Sequence, residues 1–151
     1  MIKKALSLLA ILLITTISSS IWTIRPDNFF SSTIFTIAGI MFAVGMGLIV
    51  TFNPNGVKNK IYIKELRKNI RHVRDSFLIH IGLLTIYYIA NQYVAGEQHE
   101  LKIHHPIDLS FSYSILFCLL MIYSAIFFVV NFLEIQRLNN DVFDALYKEE
   151  I

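Results

Sequence analysis

The densest set of residues able to do chemistry lies between Val57 and Asp75, where VKNKIYIKELRKNIRHVRD holds seven of the thirteen Lys and Arg residues of the 151-residue chain. Guanidinium and ammonium groups in such a run bind carboxylates, phosphates or anionic headgroups. Lys60, Lys64, Arg67, Lys68, Arg71 and Arg74 are therefore the candidate docking surface. Its counterpart is an acidic tail with Asp141, Asp144, Glu149 and Glu150. Nucleic-acid binding would call for interleaved aromatic side chains or a known module, and Tyr62 alone is present, so no direct nucleic-acid contact is expected.

The other reactive residue types are sparse. His99, His104 and His105, with Glu97, Glu100 and Asp108, are metal-ligand types, but their spacing matches no zinc pattern, and the segment reads as a solvated polar loop. No metal and no cofactor is expected. His80 is the ionisable residue set inside an apolar tract, a position that makes it a functional candidate. Asn131, at the matching end of a later tract, is its expected hydrogen-bond partner. Cys118 is the single cysteine and cannot form an intrachain disulfide. No nucleophile, base or phosphate-binding motif occurs, so the chain is not expected to be an enzyme.

These residues must be positioned by a membrane protein. Hydrophobic residues make up 55% of the chain and charged ones 16%, and the mean hydropathy is +0.58. Uncharged tracts run over Ala5 to Ile24, Asn28 to Val57, Ser76 to Gly96 and Leu109 to Leu133. Each reaches the roughly 20 residues a helix needs to cross the hydrocarbon, where only internally hydrogen-bonded helices are tolerated. The expected fold is all-α: one domain over 1–151, a four-helix transmembrane bundle with spans at about 5–24, 29–52, 77–95 and 109–133. Lys3, Lys4 and a secretory signal-like opening are read as the start of a retained first helix, because apolar character resumes at Ile21, Trp22 and Ile24.

Charge then sets the topology. The connection from Lys58 to Asp75 carries seven cations against two acids, and the tail from Glu134 carries two cations against five acids. The positive-inside rule places the +5 connection, and with it both termini, on the cytoplasmic side. Leu66, Ile70, Val73, Phe77, His80 and Leu84 recur at alternating spacings of four and three, a helical seam that runs from the charged stretch into the apolar tract without Gly or Pro. Ile135, Leu138, Val142 and Leu146 continue the fourth helix in the same way. Helices three and four are thus expected to extend into the cytoplasm over 58–76 and 134–151 and to pair there, basic against acidic. In the second tract Gly39, Ala43 and Gly47 form a small-residue stripe that lets a helix approach closely, within the protomer or between protomers.

With these residues placed, the chain resembles the membrane subunits of the Kiwa anti-phage defence system (KwaA-like). The features that carry this are two membrane hairpins, the Lys58 to Arg74 basic connection and the charged tail from Glu134 to Glu150. The resemblance implies a homo-oligomeric, tetrameric sensor in the bacterial inner membrane that docks a soluble cytoplasmic KwaB-like effector. The chain is also similar in plan to the RexB phage-exclusion protein, which implies instead a small ion channel that depolarises the membrane. Colicin-immunity proteins, or a structural subunit of a larger membrane complex, share the same outline.

Overall fold

A computed structural model of the chain describes residues 2–21, 26–51, 60–95, 100–104 and 108–148, with side chains described for 6–20, 26–51, 61, 63–94 and 111–142. Four helices form, as expected: α1 (Ile2–Ile21), α2 (Asn28–Thr51), α3 (Lys60–Ala95) and α4 (Tyr113–Lys148). The fold is all-α in its framework. Three helices contain windows long and apolar enough to cross a membrane, within Asn28–Thr51, Ile63–Val94 and Tyr113–Val142, whereas the part of α1 with described side chains, Leu6–Ser20, is a shorter apolar helix.

Helix α2 starts where the sequence supplies a cap. Asp27 Oδ1 accepts from the Phe30 backbone N–H at 2.7 Å, and the Asp27 carbonyl accepts from Ser31 N at 3.1 Å. This satisfies donors that a helix N-terminus otherwise leaves unpaired. Helices α3 and α4 each run 36 residues unbroken, about 54 Å at 1.5 Å per residue. Neither is interrupted at its change from charged to apolar composition.

The segment expected to be a solvated polar loop contains a two-stranded antiparallel hairpin, β1 (Glu100–His104) and β2 (Asp108–Ser112). Leu101 pairs with Phe111 and Ile103 with Leu109, while Lys102 faces Ser110 and His104 faces Asp108. Consequently α4 begins at Tyr113, four residues later than the apolar tract itself, because Leu109 to Ser112 are committed to the ladder. Helix α1 makes its main contacts with β2 and α4, and Ile11 and Thr15 are its buried side chains among those described.

The core lies between α2, α3 and α4. Ile34, Ala38, Ile49, Phe77, Leu84, Cys118, Met121, Phe128 and Ile135 form one buried cluster. Phe77 is its centre, with ring centroids 5.2 Å from Phe128, 6.0 Å from Phe127 and 6.2 Å from Phe42. Phe77 fits because α2 presents Gly45 to it: a Cβ there would lie 2.9 Å from Phe77 Cζ and nearer still to Cε1. Large apolar side chains cover the outside, among them Leu6, Ile40, Val50, Ile79, Ile86, Ile126 and Leu133. So continuous an apolar exterior is unsuited to water and suited to lipid.

Candidate functional site

The structure places the charged part of α3 on a continuation of the same helix that crosses the core. Leu66 is buried, Ile70 and Val73 are half-buried, and the opposing α4 positions Ile135 and Val142 are buried with Leu138 half-buried. Ile70 and Val73 line one small apolar gap with Ile135, Leu138 and the end of α2 at Ile49. The predicted seam is therefore the surface along which the two extensions pair. Leu146 lies beyond the described side chains.

Turning α3's apolar side onto α4 decides where its cations point. At 3.6 residues per turn, Lys64 and Arg71 lie roughly 130 to 150° from the mean direction of Leu66, Ile70 and Val73. Lys64, Arg67, Lys68, Arg71 and Arg74 are all exposed. Arg71 Nε donates to its own helix at the Arg67 carbonyl, 3.3 Å away. Arg74 donates from Nε at 3.0 Å and Nη2 at 2.8 Å to Asp75 Oδ1, the one ion pair among the described residues. The expected pairing of basic helix with acidic tail is thus not made between described side chains: Glu134 and Asp141 are exposed and form no ion pair with these cations. Lys60 and Asp144 lie within helices but outside the described side chains, and Glu149 and Glu150 lie outside the described residues.

The stripe Gly39, Ala43 and Gly47 makes no close packing with the described residues of the chain. A Cβ at Gly39 or Gly47 would meet nothing within 4 Å, and Ala43 is exposed. The close approach is made one face away, at Gly45. Sequence reasoning missed Gly45 because in an apolar helix neither burial against protein nor exposure to lipid changes the composition of a face.

His80 and Asn131 meet at a common residue. His80 Nδ1 donates to the Ser76 carbonyl at 2.8 Å, and its ring stacks on Phe127 with centroids 3.5 Å apart and planes within 5°. Asn131 Nδ2 donates to the Phe127 carbonyl at 2.8 Å. Phe127 thus receives the imidazole on its ring and the amide on its backbone.

The sequence reading did not single out a buried polar chain at the other end of the bundle. Ser114 Oγ donates to Asn91 Oδ1 at 2.9 Å, Asn91 Nδ2 donates to Ser31 Oγ at 2.8 Å, and Ser31 Oγ reaches the Asp27 carbonyl at 3.1 Å. Cys118 Sγ lies 3.3 Å from Ser31 Oγ. With the Ser31 proton given to Asp27, the thiol is the donor of that contact. Helices α4, α3 and α2 are joined in sequence by this chain, which ends on the residue that caps α2. Among the described residues no buried side-chain N or O lacks a partner, so the chain has the character of a structural clasp, satisfied throughout. A group of His, Cys, Asp or Glu able to hold a metal is absent among the described residues. His99 and His105 lie outside them, and His104 lies in β1 outside the described side chains.

No protein-family model, curated protein or solved structure matches this chain.

Proposed function

We propose that the chain is a non-enzymatic scaffold and sensor of the bacterial inner membrane, acting in anti-phage defence, whose charged extensions stand in the cytoplasm and recruit a soluble effector protein. In this reading α1 crosses the membrane with the other three helices, both termini are cytoplasmic, and the protein is a homo-oligomer. The supporting observation is the row of exposed cations on α3, held on a rigid helix and left without acidic partners within the described chain except at Arg74. Long-range complementarity of this kind steers a partner and sets its orientation. The outward-facing Gly39, Ala43 and Gly47 offer the oligomer a surface for close helix approach.

The channel reading gains less support. A conducting path within the chain would need polar side chains through the full depth, and the middle of the bundle is filled by Phe77, Leu84, Met121 and Phe128. The test of docking is co-purification. The detergent-solubilised protein is expected to recover the product of the neighbouring gene, and changing Arg67, Arg71 and Arg74 together to Glu is expected to abolish recovery. Unchanged recovery by that variant would remove the docking role.

A further inference from the structure

Lys64 and Arg71 lie on the side of α3 turned from its apolar seam, where Asp75 follows Arg71 by one turn, and they share their levels in the bundle with two acids of α4. The rungs between α3 and α4 are Asn91 with Ser114, Tyr87 with Phe117 and Phe77 with Phe128. Ile70 and Ile135 continue them beside the same gap. Carried on residue for residue, this antiparallel register sets Arg71 level with Glu134 and Lys64 level with Asp141. All four side chains are exposed, and none forms an ion pair among the described residues.

We propose that the occupant of this face is a second copy of the chain, the Lys64 and Arg71 face of α3 in one protomer lying against Glu134 and Asp141 of α4 in the next. A membrane imposes the condition that makes this work. Copies inserted in one orientation share the same depth, so levels matched within a protomer are matched between neighbours. The contact sets α3 of one protomer on α4 of the next, because α3 on α3 would set cations against cations, and made head to tail such a contact closes a ring. Single exposed ion pairs are weak and screened by salt, whereas a ring repeats two of them at every interface. The same register sets Lys68 level with the cation Arg137, so Lys68 takes no part in this pairing, and the connection at +5 and the tail at −3 leave positive charge over. The inference rests on the oligomeric part of the proposed function, and because Arg71 also belongs to the proposed docking surface it is read from the oligomer itself and not from effector capture.

The experiment uses two differently tagged full-length copies, both carrying Cys118→Ser, one with Lys64→Cys and the other with Asp141→Cys. Co-expressed and oxidised in membranes, they are expected to give a disulfide-linked pair carrying both tags, while Lys64→Cys copies alone stay uncrosslinked. Absence of the mixed pair, or a crosslink between two Lys64→Cys copies, would overturn the contact of α3 on α4. A second measurement is independent of crosslinking geometry. Native mass spectrometry should show the oligomer reduced by Lys64→Glu with Arg71→Glu, reduced by Glu134→Lys with Asp141→Lys, and restored when all four are combined; no restoration would also overturn the proposal. Loss of effector capture with crosslinking intact would count against docking alone.

Discussion

Gly45→Ala tests the packing of the core at its tightest point. The added methyl would lie 2.9 Å from Phe77 Cζ and closer to Cε1, well inside the roughly 3.5 to 4 Å at which carbon atoms attract. Phe77 has little room to yield, since it is fully buried and is bounded by Phe42, Phe127 and Phe128. Either α2 shifts away from α3 or the ring leaves its preferred rotamer. Overpacking of this kind costs about 1–3 kcal/mol, which corresponds to roughly a 5- to 150-fold loss in the folding equilibrium. The assay is unfolding of the purified protein in mixed micelles of increasing denaturing-detergent fraction, followed by circular dichroism. Gly45→Ala should unfold at a lower fraction, and adding Phe77→Leu should recover part of the loss by shortening the opposing side chain. Gly39→Ala and Gly47→Ala should leave the monomer's unfolding unchanged, because a Cβ at either meets nothing within 4 Å. Wild-type stability in Gly45→Ala, or destabilised monomer in the other two, would refute the assignment of faces on α2.

Asn91→Leu removes both hydrogen bonds that tie α3 to Ser31 and Ser114. Interhelical hydrogen bonds in membranes average about 0.6 kcal/mol and reach about 1.7, so the expected loss is about 1–3 kcal/mol in the same unfolding assay, with Ser114→Ala costing less. Effector capture, being carried by exposed cations, should weaken as salt rises and the Debye length falls from about 8 Å at 0.15 M to about 3 Å at 1 M; titrating salt during co-purification checks this.

The seam of α3 was legible because charged residues surround it, so that Leu66, Ile70 and Val73 stand out among Lys and Arg. The same logic fails for α2, where protein and lipid are both apolar. There the stripe of Gly39, Ala43 and Gly47 is conspicuous in the sequence, while the contact itself is made at Gly45. The β-hairpin carried a signal of its own: Leu101 and Ile103, then Leu109 and Phe111, alternate with polar residues at a period of two. Five-residue strands are too short for that alternation to dominate a reading based on charge. Charge counts gave the sum on each extension and the order of levels, but the direction in which Lys64 and Arg71 point follows from which side of α3 buries on α4. The clasp through Asn91 was hidden for a related reason, since Ser31, Asn91 and Ser114 are far apart in sequence and unremarkable singly.

The central claim is that the paired extensions of α3 and α4 stand on the cytoplasmic side with the basic face of α3 open. It is tested most directly by placing one cysteine at that face, Lys68→Cys in a Cys118→Ser background, and treating membranes with a maleimide that cannot cross them. Labelling should be absent on intact cells and prompt in inverted vesicles. Prompt labelling on intact cells would put the basic helix outside, and the proposed docking role could not stand.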